Sequence, residues 1–198
     1  MMGQEWVGSL LLMVAAFVLG SIPFAYLAGR LRGIDIRQHG SGNVGATNAF
    51  RVLGAPLGAL VLLCDASKGA LAAWWGLAQG ELIAVLMGLA AILGHTFSPF
   101  MRFKGGKGVA SAAGVFLLLA PDVMGVTVVL FLASVLLTRY VSVGSMLASV
   151  TLPALMVWWD KPFPYQIVAV VTGAFVFYRH IPNLQRLLAG QENPIRRK

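Results

Sequence analysis

The sequence predicts an all-α integral membrane protein with about seven transmembrane helices, and its composition and its long apolar runs support this. Of the 198 residues, 58% are hydrophobic and only 11% are charged, which is typical of membrane proteins and not of soluble domains. The apolar residues form long runs without the period-two alternation of a membrane barrel. Since no linker or low-complexity stretch divides the chain, residues 1–198 are expected to form a single multi-pass membrane domain.

Seven apolar segments follow one another along the chain: 6–30, 54–78, 81–99, 107–120, 122–138, 141–159 and 163–179. A helix satisfies its own backbone in lipid and needs about 20 residues to cross it. The first segment has no basic residue before Arg30, so we expect a retained anchor and not a cleaved signal peptide. The fourth segment is short and ends at Pro121, so a half-span and totals of five or six spans remain alternatives.

The charges predict the orientation of these segments. Thirteen of the fifteen Lys and Arg residues fall on one side, including Arg196, Arg197 and Lys198 at the end of the chain. The opposite ends carry Glu5, Glu81, Asp122, Asp160 and only one base, Lys161. By the positive-inside rule the basic side is cytoplasmic, with the N-terminus outside and the C-terminus inside. The net charge of +8 reflects this one-sided distribution of basic residues together with attraction to anionic membrane lipid, so no nucleic acid partner is expected.

Three polar clusters interrupt the apolar pattern, all on the predicted cytoplasmic side. They read GSGNVGATNAFR from Gly40, FKGGKGVAS from Phe103, and RHIPNLQRLLAGQE from Arg179. The first matches the dinucleotide-binding pattern G-x-G-x-x-G, with Asp65 twenty positions after Gly45. That pattern requires a soluble strand–turn–helix unit, which the flanking membrane segments exclude. Convergence of the clusters on one face instead predicts one cytoplasmic site.

Each cluster has chemistry suited to phosphate. In the first, Ser41 is a candidate helix cap, and a helix would align Asn43, Thr47 and Arg51 on one stripe. In the second, glycines surround Lys107 where a helix begins, and such a loop offers free N–H groups and the positive end of the helix dipole to an anion. It is not a Walker A loop, because Gly108 follows the lysine. In the third, His180 and Asn183 would share a helix face.

Other polar residues allow two interpretations. A charge in mid-bilayer costs about 2.5–3.5 kcal/mol, so Asp65 and Lys68 are expected to pair inside the bundle, either as a structural pair or as part of the site. The stripe Ser142, Ser145 and Ser149 indicates helix packing, with Ser142, beside the basic face, the exception. His39, His95 and His180 are far apart in sequence and Cys64 is alone, so neither a metal nor another cofactor is expected.

The three polar clusters, in this order and spacing, resemble the signature motifs of the bacterial acyl-phosphate-dependent glycerol-3-phosphate acyltransferases. The resemblance extends from the first span to Glu192. It implies a seven-helix fold in the inner membrane with a cytoplasmic active site. It also implies transfer of a fatty acyl group from acyl phosphate to the 1-hydroxyl of sn-glycerol 3-phosphate, giving lysophosphatidic acid and phosphate. We expect a monomer with these two substrates and membrane lipid as its partners.

The resemblance also assigns roles to residues. Ser41, Arg51 and Lys104 would contact substrate phosphate, His180 and Asn183 would orient the substrates, and Glu192 would support that region. The remaining substrate-binding candidates are Gly42, Asn43, Thr47, Asn48, Gly105, Gly106, Lys107, Gly108 and Ser142.

The predicted chemistry agrees with these residue types. An acyl phosphate is already activated, so the protein must neutralise phosphates and align the hydroxyl with the carbonyl. The base is either a phosphate oxygen of the donor or His180. The sequence lacks the H-x-x-x-x-D pattern of acyltransferases that use thioester donors. The rival hypothesis is an anion transporter, but the charges collect on one face and no internal repeat is evident.

Overall fold

The computed structural model describes residues 2–195 and the side chains from residue 7 onward. Within that range every regular element is helical, which confirms the all-α prediction. The side chain of Glu5 and the residues Arg196, Arg197 and Lys198 lie outside the described part. The chain divides into two compact units, Met1–Leu119 and Ala120–Lys198, and each is described by itself. The prediction of a single membrane domain stays a prediction.

The first unit contains six α-helices: α1 (Met2–Ser21), α2 (Phe24–Leu31), α3 (Ala46–Leu53), α4 (Ala55–Leu77), α5 (Glu81–Thr96) and α6 (Val109–Leu119). Two short 3₁₀ helices, Ile36–Gln38 and Pro99–Met101, lie in its loops. The break between α1 and α2 falls at Pro23, because proline has no N–H to donate and disfavours helical backbone at the residue before it.

Glycines allow the helices of the first unit to pack in close backbone contact. A Cβ atom at Gly114 of α6 would collide with the carbonyl oxygen of Ala66 in α4, and one at Gly69 would collide with that of Ser111. Helices α1 and α5 meet in the same way, since Gly94 lies against the carbonyl of Phe17. Small residues at such crossings are the usual means of helix association in membranes.

The second unit contains four α-helices: α7 (Pro121–Thr138), α8 (Val141–Trp158), α9 (Phe163–Arg179) and α10 (Ile181–Leu188). Helix α8 packs against both α7 and α9. Ser149 of the serine stripe lies at the contact with α9, because a Cβ at Gly173 would collide with its carbonyl oxygen. The hydroxyls of Ser145 and Ser149 donate within their own helix, to Val141 and Met146.

The predicted spans are confirmed in part. Among the described residues, five helical segments are long and apolar enough to cross a membrane: Val7–Leu31, Ala55–Leu77, Glu81–Met101, Pro121–Thr138 and Val141–Trp158. Helices α9 and α10 would form a sixth, bent by 47°. The short fourth segment is the 11-residue helix α6, about 16 Å long, which cannot cross about 30 Å of hydrocarbon alone. The count of seven and the orientation stay predictions.

Candidate functional site

The loop between α2 and α3 is held in shape by Asn48, whose side chain is fully buried. Its Oδ1 accepts a hydrogen bond from the Ser41 N–H at 2.9 Å. Its Nδ2 donates to the carbonyl oxygens of Ile36 at 3.2 Å and His39 at 3.0 Å. Gly40 turns the chain at a φ of +63°, and a Cβ there would collide with Asn48 Oδ1. In this structure Asn48 therefore shapes the loop, while its predicted contact with substrate stays a prediction.

An ion pair at the start of this loop stabilises its first turn. Arg37 donates to Asp35 from Nε at 2.9 Å and from Nη2 at 2.6 Å, and its guanidinium lies 4.9 Å from the centre of the Tyr26 ring. The side-chain hydrogen bond from Arg37 lowers the pKa of Asp35 to about 2. The loop between α2 and α3 thus carries both a charged and an amide constraint.

The local predictions for the first motif are partly wrong. Helix α3 begins only at Ala46, with Gly45 as a cap that has no side-chain hydrogen bond, so Ser41 is not the cap. Because Asn43 precedes the helix, it does not continue a helical stripe. Thr47 and Arg51 do share one helix face four residues apart, and the Arg51 side chain is exposed.

The glycine loop, Gly105–Gly108, connects the turn after Pro99–Met101 with α6. Arg102 and Phe103 both adopt left-handed backbone, with φ of 53° and 62°, a conformation that costs about 1–2 kcal/mol per residue. They turn the chain sharply before Lys104, whose side chain is exposed. The loop opens α6 as the sequence predicted.

The expectation that the glycine-loop N–H groups are free is wrong for its first two residues. The Gly105 N–H donates to the Thr96 carbonyl at 2.9 Å, and the Gly106 N–H donates to that of His95 at 3.2 Å. These bonds fasten the loop to the end of α5. An anion at the loop would instead meet the first turn of α6, where helix geometry leaves N–H groups without helical partners.

The structure brings the first two motifs together in the first unit. Val44 and Ala49 of the first motif share one buried apolar cluster with Met101, three residues before Lys104. Arg51 and Lys104 therefore extend from two segments that pack on the same core.

A buried charged cluster lies beside the glycine loop. Lys68 Nζ lies 2.7 Å from Asp65 Oδ1, with side-chain exposures of only 2% and 1%, so the predicted interior pair is confirmed. Lys68 Nζ also donates to the Ile22 carbonyl at 2.9 Å, where α1 ends. His95 joins the cluster, with Nδ1 3.4 Å from Asp65 Oδ1. No local pattern indicates this third member, because it is thirty residues from Asp65.

The third motif, in the second unit, centres on His180 and Asn183, both buried. His180 lies between α9 and α10, and its Nδ1 is 2.8 Å from the Val176 carbonyl oxygen. Because a carbonyl only accepts, Nδ1 carries the proton and Nε2 is the basic nitrogen. Asn183 Nδ2 donates to Glu192 Oε1 at 2.6 Å.

Glu192 is the charged anchor of this motif. Arg186, which the sequence predictions omitted, donates from Nε to Glu192 Oε2 at 2.7 Å. Burial acts to raise the pKa of Glu192, but the hydrogen bonds from Asn183 and Arg186 prevail and lower it. The Ser142 hydroxyl acts in the same direction, although its buried Oγ is outside hydrogen-bonding geometry. Between residues 2 and 195, no three His, Cys, Asp or Glu side chains gather where they could hold a metal ion.

Comparison with known proteins identifies the family. The family model described as glycerol-3-phosphate acyltransferase matches residues 10–190. The chain belongs to the glycerol-3-phosphate acyltransferase family. It is 45% identical over 186 residues to the glycerol-3-phosphate acyltransferase of Syntrophomonas wolfei, covering 93% of this chain and 95% of the relative. It is 46% identical over 188 residues to glycerol-3-phosphate acyltransferase 2 of Moorella thermoacetica, with coverages of 94% and 97%.

Solved structures agree with this assignment. The fold matches crystal structures of PlsY (YgiH), an integral membrane glycerol 3-phosphate acyltransferase, in its glycerol 3-phosphate form with a TM-score of 0.92 and in its lysophosphatidic acid form with 0.90. Both are 38% identical to this chain, and each match covers 96% of this chain and 96% of the solved one. Together with the apolar helices, this likeness shows a multi-pass membrane protein.

Proposed function

We propose that this acyltransferase moves a fatty acyl group from an acyl phosphate to the 1-hydroxyl of sn-glycerol 3-phosphate, at the cytoplasmic face of a bacterial inner membrane. Lysophosphatidic acid and phosphate would be the products. The forms in which PlsY has been crystallised, with glycerol 3-phosphate and with lysophosphatidic acid, support the acceptor and the product. The one-sided basic residues support the cytoplasmic location.

The observation that carries the proposal is the pair of constrained loops in the first unit. The loop between α2 and α3 leads into the helix that carries the exposed Arg51, and the exposed Lys104 directly precedes the glycine loop. Their segments pack on one apolar cluster. Arginine can bind two phosphate oxygens at once, while lysine acts as a compact charge. Both cations suit a substrate pair that carries two phosphate groups, and the first turn of α6 adds the positive end of a helix dipole.

The choice of donor rests on the base that the reaction needs. The His95–Asp65 contact resembles a general-base dyad, but the Nε2 atom of His95 is packed against Gly106 so closely that a Cβ there would collide with it. A substrate hydroxyl therefore has no access to this nitrogen. An acyl phosphate can supply its own phosphate oxygen as the base, which a thioester cannot do.

His180 is the alternative base, since its Nδ1 donates to the Val176 carbonyl, which leaves Nε2 as the basic nitrogen of a neutral ring. The variant His180→Gln keeps a hydrogen-bonding side chain but removes the base. General-base catalysis contributes about 10²–10⁴-fold, so a kcat loss in that range identifies His180 as the base. We expect a kcat loss below about tenfold, with the donor phosphate as the base.

The donor is tested by assaying purified protein in detergent with each candidate in turn. We expect turnover of palmitoyl phosphate, none of palmitoyl-CoA or palmitoyl-acyl-carrier protein, and no loss on adding a chelator. Efficient use of a thioester, or dependence on a divalent metal, would contradict the proposal. Because transport is impossible in detergent micelles, turnover there also excludes a function as transporter alone.

Sidedness is tested by cysteine labelling in a Cys64→Ser background. Ser41 and Leu188 are both exposed, so cysteines placed there report one site from each unit. We expect both to react only from the cytoplasmic side. Reaction of either from the outside would contradict the cytoplasmic location.

A further inference from the structure

The buried cluster of Asp65, Lys68 and His95 has no part in the chemistry proposed above, yet it reaches the glycine loop. His95 is 7% exposed, and its Nδ1 faces Asp65. The Asp65 carboxylate lies 3.4 Å from this nitrogen, and because it can only accept a hydrogen bond it favours the tautomer with the proton on Nδ1. Asp65 thereby restricts the orientation of the ring.

The other edge of His95 lies against the loop backbone. A Cβ at Gly106 would collide with His95 Nε2, and one at Gly105 would collide with the His95 carbonyl oxygen. That same carbonyl accepts the Gly106 N–H at 3.2 Å. His95 thus contacts both glycines, through its ring and through its backbone, while the Gly105 N–H donates to the neighbouring Thr96 carbonyl.

We propose that His95 is a positioning residue for glycerol 3-phosphate binding. Held by Asp65, it fixes Gly105 and Gly106, and through them the direction of Lys104 and of the first turn of α6. Its side chain is enclosed, so it acts through the loop and does not touch substrate. The inference rests on the proposed function, in which this loop binds the phosphate of glycerol 3-phosphate.

The decisive variant is His95→Asn, whose amide can still donate to Asp65 but lacks the edge that meets Gly106. We expect the KM for glycerol 3-phosphate to rise about tenfold or more, while kcat and the KM for palmitoyl phosphate change less than about threefold. The melting-temperature increase that glycerol 3-phosphate gives the purified protein should shrink in parallel. A lowered melting temperature with an unchanged KM would show a purely structural role and overturn the inference.

Coupling between His95 and Gly106 provides an independent test. Gly106→Ala alone should raise the KM for glycerol 3-phosphate, because the added methyl group meets Nε2. In the His95→Asn background the same methyl group has room, so the two effects should not be additive. Additive effects would overturn the inference.

Control variants separate this inference from the proposed function. Met87→Ala removes a fully buried side chain of the same helix, about 12 Å along α5 from residue 95. It should lower the melting temperature without changing the KM for glycerol 3-phosphate.

If Lys104→Ala raises the KM for glycerol 3-phosphate and His95→Asn does not, the inference fails and the proposed function stands. If the wild type turns over no glycerol 3-phosphate, the proposed function fails, and the thermal shift alone decides on His95. If neither His95→Asn nor His95→Gln folds, the cluster is structural and the inference fails.

Discussion

Each of the two units buries a carboxylate beside a signature motif, but the cation that neutralises it is buried in the first unit and partly exposed in the second. In the first unit, Asp65 lies inside a membrane helix and pairs with Lys68, whose side chain is only 2% exposed. In the second, Glu192 follows the last helix and pairs with Arg186, whose side chain is 38% exposed. The first carboxylate connects a helix break with the glycine loop, whereas the second closes a short local turn. Removing the cationic partner should therefore lower the unfolding free energy far more in the first unit than in the second.

The largest effect is expected from Lys68→Met. This change leaves the Asp65 carboxylate buried without its cation, which costs about 3–5 kcal/mol in unfolding free energy. The matched change in the second unit, Arg186→Met, should cost no more than about 1 kcal/mol because water reaches the arginine. Thermal unfolding in detergent measures both. Equal losses of unfolding free energy in the two variants would mean that burial of the cation makes no difference to the contribution of the ion pair.

A double variant sharpens that result. Replacing both charges, as in Asp65→Leu with Lys68→Met, removes the buried ion pair as a whole and should recover much of the lost stability. The KM for glycerol 3-phosphate should nevertheless rise above the wild-type value, because His95 loses its carboxylate partner. A wild-type KM in this double variant would contradict a link between the cluster and the loop.

The next effect concerns exposed cations of the first unit. Arg51→Ala and Lys104→Ala should each lower kcat/KM by about tenfold or more, since a charge-assisted hydrogen bond contributes about 1.5–3 kcal/mol. Unfolding temperatures should not change. Arg32→Ala, another exposed basic residue, is the control and should keep wild-type kinetics. Near-normal kinetics in both Arg51→Ala and Lys104→Ala would show that they are only topological anchors.

The third effect compares glycines between the units. Gly114 of α6 faces the Ala66 carbonyl, so Gly114→Ala should force the helices apart and cost about 1–3 kcal/mol. A Cβ added at Gly125 of α7 would meet no atom within 4 Å, so Gly125→Ala should be neutral or slightly stabilising. Thermal unfolding of the two variants distinguishes a packing glycine from a tolerated one. A stable Gly114→Ala variant would contradict close packing of α4 and α6.

The contrast between the units also explains what the sequence could predict. Membrane helices, the family resemblance of the three motifs and the Asp65–Lys68 pair follow from local patterns. The all-α fold, the family and the buried pair are confirmed, whereas the roles of the motif residues stay predictions. His95 was not predicted, because its partners lie far away in sequence and no spacing rule connects them. Likewise, the bonds from Gly105 and Gly106 to the end of α5 depend on a turn through left-handed residues that no pattern indicates. Arg186 is close to Glu192 in the sequence, but its pairing was not predicted because a basic residue near a membrane surface is commonly only a topological anchor.

The smallest effect is the pH dependence of the local pair in the second unit. The pKa of Glu192 lies below its ordinary value of 4.5 in the folded protein, so folding is favoured by the ionised form. That contribution is complete above pH 4.5 and is lost as the pH falls through the folded pKa. Glu192→Gln should therefore lower the melting temperature at pH 7, by an amount matching about 1 kcal/mol, and the difference from wild type should shrink below pH 4.5.

In the first unit, Asp35 has a pKa of about 2 against an ordinary 3.8. The stabilisation from its pair with Arg37 is therefore lost only as the pH falls from 3.8 to about 2. Because Asp35 and Arg37 meet in water, Asp35→Asn should change the melting temperature less than Glu192→Gln does at pH 7. A larger change from Asp35→Asn would contradict this order. It would mean that the exposed ion pair in the loop between α2 and α3 contributes more to stability than the partly buried pair at Glu192.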